Sequence, residues 1–282
     1  MVRGKFKKLH AEPQACDEIL VKLLGGFGNQ LFQLAYALEI SNNSGLPIRL
    51  NMQKGPRPFA LGVLGIENNK SFRLSNGSFL NVDKVKHSYR CGFYEYKHHG
   101  GNFLSLNNPP RHLILNGYFQ SAKYFQEISS QLRETLIATL AIKSDESEYE
   151  YVVHIRLGDY VRKENILAIH GHINEDYLTR ALQVLGWAEG FPLCIVTDDV
   201  ISFRQLFPKY AELATKIQSS TLLEDFRLIA SKKNKVISNS TFSWWAAWLG
   251  QGNVVAPKQW YFDDKILEES KKDLFPQNWI LL

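Results

Sequence analysis

Short apolar runs alternate with amphipathic segments along most of this chain. Runs rich in Val, Ile and Leu predict buried strands, and an apolar residue every three or four positions predicts a helix. The predicted strands are 19–24, 46–51, 113–119, 151–156, 192–199, 235–240 and 253–257. The predicted helices follow Asn29 and Asn174 or cover 123–140, 222–233 and 242–250. Short buried strands separated by helices predict an α/β fold with parallel sheets covered on both faces.

Two stretches interrupt the alternation. Residues 52–112 are rich in Gly, Asn, Pro and His and predict irregular structure, whereas the hydrophilic stretch 143–150 predicts a linker. We therefore expect a loose basic leader over 1–17, an N-terminal domain over 18–145 and a C-terminal domain over 146–282. A disordered tail and a peripheral contact with an anionic membrane both fit the leader.

The composition narrows the possible ligands. The chain has 282 residues, 45% of them hydrophobic, and a net charge of +5. This charge is too weak and too dispersed to predict nucleic-acid binding, and it suits an anionic small ligand or a membrane surface. Three scattered cysteines favour a reducing compartment, and no apolar run of about 18 residues predicts a transmembrane helix.

The first candidate site is the turn GGFGNQ between a predicted strand and a predicted helix. Ligands of open α/β sheets bind at the carboxyl ends of the strands. The three glycines of this turn, Gly25, Gly26 and Gly28, would allow close backbone approach, and the helix N-terminus offers N–H groups. Asn29 and Gln30 add amides. The spacing matches neither the dinucleotide fingerprint nor the P-loop. A ligand-binding turn and a plain tight turn fit equally well.

Two further strand ends carry residues suited to phosphate. In VVHIRLGDYV, His154 and Arg156 lie two residues apart and therefore on one side of a strand. Arg156 suits a phosphate group, although an ion pair with a nearby acid such as Asp159 is the alternative. In ISNSTF, three small polar residues open a helix and predict an anion site: Asn239, Ser240 and Thr241.

The remaining candidates are less specific. Asp198 and Asp199 end a strand, where they would bind ribose hydroxyls or a metal, or cap the next helix. Histidines at 98–99 and 170–172 lack partners at ligand spacing, and no Asp-x-Asp motif lies in a suitable place, so we expect no essential metal. Cys194 and three tryptophans at helical spacing are predicted to pack in the core: Trp244, Trp245 and Trp248.

Taken together, several stretches resemble the α-1,2-fucosyltransferases of glycosyltransferase family 11, in their soluble bacterial form. They are GGFGNQLFQLAYAL, GYFQSAKYF, VVHIRLGDYV, EDYLTRAL, IVTDD, LLEDFRLIASKKNKVISNSTFSWWAAWLG and VVAPKQWYF, in order over residues 19–262. The resemblance implies a GT-B-type architecture of two Rossmann-like halves that face a cleft. It also implies a GDP-β-L-fucose donor, a galactoside-terminated glycan acceptor, and inverting transfer to its 2-hydroxyl without a metal or cofactor. The absence of a membrane anchor suggests a cytoplasmic enzyme, with peripheral contact at the inner membrane as one option.

The resemblance also implies roles for the candidate residues. Arg156 would bind the donor diphosphate with His154 beside the nucleotide, and Asp225 would reach the guanine edge. The phosphate oxygens would lie at the turn formed by Asn239, Ser240 and Thr241. Asn29 and its turn would face the fucose and the acceptor hydroxyl. Asp159 and Glu95 are the carboxylates we would test first as general base.

One position departs from the family pattern. The family usually reads HIRRGDY, and this chain has Leu157 in place of the second arginine. Neighbours along a strand point to opposite faces, so the diphosphate contact of Arg156 need not change. The lost charge leaves open a different GDP-deoxysugar donor such as GDP-colitose. A glycan-binding relative without transferase activity is the remaining alternative.

Overall fold

The computed structural model describes most of the chain. The described residues are 6–8, 17–52, 58–66, 71–73, 79–81, 94–98, 106, 109–143, 150–158, 161, 167–168, 171, 173–261 and 273–282, with the backbone alone at 6–8, 52, 71–73, 79–81 and 94–98. The chain divides into two compact units. The first unit contains Met1–Thr139 and Glu269–Phe275, and the second contains Leu140–Glu268 and Pro276–Leu282. The predicted domain boundaries stay a prediction, and the structure adds that Glu269–Phe275 returns to the first unit.

The first unit is built on a mostly parallel sheet. Its described strands are β1 Phe6–Lys8, β2 Glu18–Leu23, β3 Ile48–Met52, β4 Ser71–Arg73, β5 Phe79–Asn81, β6 Tyr94–His98 and β7 His112–Gly117. They lie in the order β1-β6-β7-β2-β3-β5-β4, with β1 and β4 antiparallel at the two edges. The helices are α1 Phe27–Ser44 and α2 Ser129–Thr139, with 3-10 turns at Leu61–Leu64 and Ala122–Phe125.

The helix α1 is the main covering of this sheet and is buried along most of its length. Its apolar side chains, among them Leu31, Ala35 and Leu38, are almost completely buried, as their spacing predicts. The helix ends at Gly45, whose φ of 72° is a left-handed conformation that favours glycine. The burial of this helix therefore holds its N-terminal turn rigidly against the sheet.

The second unit is a doubly wound parallel sheet. Its described strands are β8 Tyr151–Ile155, β9 Leu193–Thr197, β10 Lys216–Gln218, β11 Asn234–Ile237, β12 Asn253–Ala256 and β13 Ile280–Leu281, in the order β10-β9-β8-β11-β12-β13. All of these neighbouring pairs are parallel. The helices are α3 Glu175–Val184, α4 Val200–Leu206, α5 Pro208–Leu213, α6 Leu222–Ser231 and α7 Thr241–Leu249.

Numbered from β8, this order is 3-2-1-4-5-6, the arrangement of dinucleotide-binding domains. The chain reverses its winding direction between β8 and β11, so a crevice opens at their carboxyl ends. The predicted α/β class with Rossmann-like parallel sheets is thus confirmed. A cleft between the two halves stays a prediction.

The strand β8 has two differently used faces. Tyr151, Val153 and Ile155 belong to the main hydrophobic core of the second unit, and Leu157 continues this face beyond the strand. His154 and Arg156 alternate with them and therefore point to the opposite face. The buried side chains of α3 pack in the same core. A shift of β8 by one residue would therefore turn His154 and Arg156 into this core and turn the strand's apolar residues away from it.

The structure differs from the predicted elements at several places, and the described elements that were not predicted include β4, β5, β10, β13, α4 and α5. Tyr94–His98 form a strand inside the stretch predicted to be irregular, because β7 offers a free parallel edge there. Phe6–Lys8 of the predicted loose leader pair with β6, although most of the leader lies outside the described residues. The predicted helix 123–140 is a 3-10 turn followed by α2.

Predictions about core packing are confirmed. Cys194 is fully buried in β9, and Trp244 and Trp245 are fully buried in α7. The rings of Trp244 and Trp248 stack with centroids 6.2 Å apart, and Trp279 packs on Trp244 at 5.5 Å. The tryptophans of α7 are therefore occupied as core residues.

Candidate functional site

The site of the second unit lies at the carboxyl ends of β8 and β11, where its winding reverses. His154 is the fourth residue of β8, and Arg156 follows the end of that strand. The segment after β11 brings Ser238 beside both of them, and Ser240 and Thr241 then open α7. The structure thus brings together the residues that the sequence predicted for phosphate binding.

An ion pair fixes the side chain of Arg156. Its Nη1 lies 2.8 Å from Oδ2 of Asp198, the residue that follows the neighbouring strand β9. The sequence predicted an ion pair with Asp159 as the alternative to phosphate binding, and Asp159 lies outside the described residues. A guanidinium has five N–H donors in a planar fork, a geometry that suits carboxylates and phosphates.

The same carboxylate also holds the backbone that follows β8. Oδ1 of Asp198 accepts hydrogen bonds from the N–H groups of Leu157 at 2.8 Å and Gly158 at 3.2 Å. A helical turn begins there, since the N–H of Val161 donates to the carbonyl of Leu157 at 2.8 Å. Asp198 therefore occupies the N–H groups that would otherwise attract an anion at this turn.

Gly158 leaves the space that this carboxylate needs. A Cβ built on Gly158 would lie 2.3 Å from Oδ2 of Asp198. The backbone at this position does not require glycine, because its φ lies outside the left-handed region. The glycine is therefore explained by close approach of Asp198.

His154 is buried and neutral. Its pKa is lowered to about 3, chiefly by burial; the nearby Asp198 raises the pKa and Arg156 lowers it, both by less than burial does. Nδ1 lies 3.1 Å from Oγ of Ser238, and the ring packs against Phe242 with centroids 5.6 Å apart. The ring is consequently a neutral hydrogen-bonding group at pH 7.

The N-terminus of α7 differs from neighbouring helix starts. Asn174 caps α3, Asp199 caps α4 and Thr221 caps α6, each through a side-chain oxygen. Within the described residues, Ser240 makes no side-chain capping bond although it is the N-cap residue of α7. Serine usually caps in this position, so the first-turn N–H groups of α7 are left to another acceptor.

Two other predicted donor-binding residues have structural contacts. Asn239 is buried, and its Nδ2 donates to the carbonyl of Trp260 at 3.2 Å. Asp225 lies in the first turn of α6, where Oδ1 accepts from Nε2 of Gln218 at 2.9 Å and from the N–H of Ser220 at 3.2 Å. Asp225 therefore organises the loop after β10, and its predicted guanine contact stays a prediction.

The first unit has its own reversal point, between β2 and β7. The predicted helix after Asn29 begins earlier, at Phe27, with Gly26 as N-cap residue in extended conformation. Gly28 and Asn29 thus lie in the first helical turn. Gly25, the first glycine of the turn, has a φ of 75° and is the glycine that the backbone requires.

Two glutamines hold this turn. Nε2 of Gln30 donates to the carbonyls of Gly25 and Pro58, both at 3.0 Å, and its Oε1 accepts from the N–H of Ala60 at 2.9 Å. Gln33 binds both backbone groups of Leu24, at 3.0 Å to N and 3.2 Å to O. Both amide hydrogens of Gln30 are committed to the fold, so Asn29 is the better candidate for ligand contact.

Asn29 forms a pair with the buried amide of Gln120, in the segment that follows β7. Nε2 of Gln120 donates to Oδ1 of Asn29 at 2.9 Å. Gln120 follows Phe119, which is buried and has a φ of 51°, a strained conformation for an aromatic residue. Such strain often marks functional sites, because surrounding packing must hold it in place.

The returning C-terminal segment contacts the residue beside this pair. Oγ of Ser121 donates to the carbonyl of Asp273 at 2.6 Å, and Lys123 forms an ion pair with the carboxylate of Asp273. Gln120 is therefore fixed on both sides, by strained Phe119 and by anchored Ser121.

Sequence reasoning missed Ser238, Gly158, Gln33 and Gln120. Each of these residues follows a strand end or contacts one, and this position is the signal that could have identified them. Leu157 is fully buried in the core, so the position where the family has its second arginine faces away from Arg156. The side chain of Glu95 and the histidines at 99, 170 and 172 lie outside what the structure describes.

Comparison with known proteins identifies the family. The sequence model described as glycosyl transferase family 11 matches residues 17–282. The chain belongs to glycosyltransferase family 11. It is therefore a glycosyltransferase by family, as the motifs in the sequence predicted.

Full-length relatives of this family-11 chain come from Escherichia coli. It is 28% identical to an α-1,2-colitosyltransferase, over 93% of this chain and 98% of that protein. It is 31% identical to the O-antigen biosynthesis glycosyltransferase WbnK, over 92% of this chain and 99% of that protein. A galactoside 2-α-L-fucosyltransferase of Caenorhabditis elegans is 26% identical over 59% of this chain and 52% of its own length.

Solved structures give more distant matches. The α-1,6-fucosyltransferase NodZ soaked with GDP-fucose has a TM-score of 0.47 and 12% identity, covering 83% of this chain and 93% of that one. Arabidopsis thaliana FUT1 has a TM-score of 0.45 and 11% identity, covering 89% of this chain and 72% of that one.

The helices within the described residues are too short or too polar to cross a membrane. The described His, Cys, Asp and Glu side chains form no group of three or more that could hold a metal ion. The predicted independence from metal remains a prediction.

Proposed function

We propose that this protein transfers L-fucose from GDP-β-L-fucose to the 2-hydroxyl of a terminal β-galactoside, with inversion, to form an α-1,2 linkage. The observation that carries the proposal is that Arg156 and the N-terminus of α7 follow the neighbouring strands β8 and β11 at the reversal point of the second unit. A guanidinium and a helix start without a side-chain cap favour a diphosphate group. Family membership supplies the reaction class.

Cleavage of the sugar–phosphate bond places negative charge on the departing GDP. We assign Arg156 to that charge as a cation, and the N–H groups of α7 add the positive end of a helix dipole. These groups are already fixed before reaction, by Asp198 and by the sheet, so little reorganisation is needed as the charge develops. We propose that they replace the metal ion used by other transferases.

The fucosyl carbon gains oxocarbenium character, and the acceptor hydroxyl attacks it from the opposite side. We assign the amide of Asn29 to the hydroxyls of the sugar or acceptor, since a neutral donor suits hydroxyl oxygens better than a diphosphate. Its pairing with buried Gln120 holds the amide in one orientation. Asp159 and Glu95 stay the candidates for a general base.

The test is release of GDP from GDP-fucose with lactose as acceptor, with the product linkage determined by NMR. We expect α-1,2-fucosyllactose to form in the presence of EDTA. Arg156→Ala should lower turnover by about a thousandfold with an unchanged circular dichroism spectrum, because one preorganised donor to developing charge contributes about 10²–10³. Near-wild-type turnover in folded Arg156→Ala would contradict the proposal, as would activity that EDTA abolishes and manganese restores.

GDP-colitose is the second candidate donor, favoured by full-length similarity to an α-1,2-colitosyltransferase. Colitose is L-fucose without its 3-hydroxyl. A site that bonds this hydroxyl discriminates strongly against colitose, whereas a site that does not will accept both sugars. Comparison of kcat/KM for the two GDP-sugars decides between the donors. Binding of lactose without GDP release from either would instead indicate a glycan-binding relative.

A further inference from the structure

Ser238 is a buried residue whose hydroxyl serves two groups of β8. It is 1% exposed and is the first residue after β11. Its Oγ lies 3.1 Å from the backbone nitrogen of Arg156 and 3.1 Å from Nδ1 of His154. Its backbone N–H also donates to the carbonyl of His154 at 3.0 Å. Ser238 is thus joined to both functional residues of β8.

The hydrogen count of this cluster fixes the direction of each bond. The backbone N–H of Arg156 can only donate, so Oγ of Ser238 accepts from it. The hydroxyl has one hydrogen, and a buried hydroxyl hydrogen needs an acceptor. Among the described groups that contact this hydroxyl, Nδ1 of His154 is the one able to accept. Ser238 therefore donates to Nδ1.

An imidazole that accepts at Nδ1 has its hydrogen on Nε2. The neutral ring has one donor and one acceptor nitrogen, and the bond at one nitrogen decides the role of the other. The ring is neutral, because burial lowers its pKa to about 3. Within the described parts of the chain, Nε2 has no hydrogen-bond partner, so its N–H is left for a ligand.

The position of the ring suggests which ligand. His154 shares a face of β8 with Arg156, and its ring packs on Phe242 in the first turn of α7. The ring thus lies near both groups assigned to the diphosphate. The oxygen-rich part of a nucleoside diphosphate offers many acceptors for an N–H donor.

We propose that Ser238 is a positioning residue that fixes His154 as the Nε2–H tautomer, which then donates to a diphosphate or ribose oxygen of the sugar donor. The identity of the ligand rests on the proposed function. The tautomer of His154 rests only on the hydrogen bonds among Ser238, His154 and Arg156. The rival explanation is that Ser238 only links β11 to β8 through structural hydrogen bonds (a mere tie between strands). Such bonds would contribute to stability without selecting a tautomer.

The tautomer is measured directly on the unmodified full-length chain. A long-range ¹H–¹⁵N NMR spectrum of the ligand-free protein distinguishes the protonated from the unprotonated ring nitrogen of each histidine. The signals of His154 are those missing from His154→Gln. We expect Nε2 protonated and Nδ1 unprotonated over pH 6–8. Protonation at Nδ1, or a mixture of both tautomers, would overturn the inference.

The role in donor binding is tested by GDP affinity, measured by calorimetry. The amide nitrogen of glutamine occupies nearly the place of Nε2, whereas that of asparagine resembles Nδ1. We therefore expect His154→Gln to stay within about threefold of wild type and His154→Asn to lose about tenfold, the value of roughly one hydrogen bond to a charged ligand. Equal losses for Gln and Asn would contradict an Nε2 donor.

Ser238→Ala links the two measurements. It should weaken GDP binding about tenfold in the wild-type background and less than about twofold in the His154→Gln background, since the amide needs no tautomer selection. Ser41→Ala is the matched control, because it also removes a buried hydroxyl, one that donates to the carbonyl of Leu46 at 2.6 Å in the first unit. Equal losses in both backgrounds would support a mere tie and overturn the inference.

The failures are distinguishable. If wild-type protein binds no GDP, the proposed function fails, and the assigned ligand of His154 fails with it. If GDP binds well but His154 has its hydrogen on Nδ1, the inference about Ser238 fails and the proposed function stands.

Discussion

Gly158→Ala is the sharpest test of how Arg156 is held. The added Cβ would lie 2.3 Å from Oδ2 of Asp198, and ordinary contact begins only at 3.4 Å. That oxygen must therefore move by about 1 Å. It is the atom that bonds Nη1 of Arg156 at 2.8 Å, so the displacement takes the pair beyond hydrogen-bonding distance.

Rotation of the carboxylate does not relieve the collision. Oδ1 accepts from the N–H groups of Leu157 and Gly158, and turning Oδ2 away would break those bonds. The side chains of Arg156 and Asp198 are 26% and 27% exposed, so water weakens their attraction. We expect the substitution to lower the free energy of unfolding by about 1 kcal/mol, the low end for a bond between charged groups.

The larger effect should appear in donor binding. An arginine that loses its orienting partner must be ordered by the ligand itself, and we expect GDP affinity to fall about tenfold, which corresponds to about 1.4 kcal/mol. Calorimetry with GDP measures the affinity, and urea unfolding measures the stability. Gly62→Ala is the matched control, because its Cβ would meet nothing closer than the ring of Phe59 at 3.9 Å.

A double-mutant cycle separates the proposed cause from a backbone effect. In Asp198→Ala the obstructing carboxylate is absent, so Gly158→Ala should then cost less than about twofold in GDP affinity. Wild-type affinity in folded Gly158→Ala would refute the steric argument. The same loss with and without Asp198 would show that glycine acts through the backbone.

The remaining predictions concern Asn29, Gln120 and His154. Asn29→Ala should lower turnover about tenfold or more while GDP affinity changes less than about twofold, and a collapse of GDP affinity would contradict the division of tasks between the units. Gln120→Glu should have the same effect, because a carboxylate accepts a hydrogen bond and turns the Asn29 amide around; unchanged turnover would argue against this pairing. The pKa of His154 is about 3 in the folded protein and 6.5 for an ordinary histidine, as in the unfolded chain. The unfolded chain therefore takes up a proton on this residue as the pH falls below 6.5, and the free energy of unfolding decreases. Between pH 7.5 and 5.0 wild type should lose about 2 kcal/mol more than His154→Gln in urea unfolding, and parallel pH profiles would contradict a buried neutral imidazole.

The sequence predicted the elements of the second unit well because their signals are local. The strands β8, β9, β11 and β12 are short runs rich in apolar and β-branched residues. The cap at Asn174 depends on a side chain and an N–H three residues away. Each signal lies within a few residues of its effect. Strand ends, and therefore Arg156 and Ser240, could be located in the same way.

The partners of those residues could not be predicted, because they depend on strand order. Ser238 lies 84 residues from His154, and Gln120 lies 91 residues from Asn29. Only the parallel pairing of β8 with β11, and of β2 with β7, brings them together. No periodic pattern in one sequence states which strands are neighbours.

The strand Tyr94–His98 was missed for a different reason. Its residues YEYKH alternate aromatic and charged side chains, which is a strand pattern, but the surrounding Gly- and His-rich sequence concealed it. The strand is defined by its neighbours, since it pairs with β7 on one side and β1 on the other. Tertiary pairing here overrides a weak local preference.

The two reversal points use the same architecture with different chemistry. In the second unit, the strand end supplies a cation, Arg156, beside a helix start whose serine does not cap it. In the first unit, α1 also begins without a side-chain cap among the described residues, at Gly26, but its partner is the neutral amide pair of Asn29 and Gln120. A diphosphate requires charge to offset the loss of its hydration, whereas sugar hydroxyls need only oriented donors and acceptors. The difference in charge is therefore the physical reason to assign the nucleotide to the second unit and the sugar or acceptor hydroxyl to the turn at GGFGNQ.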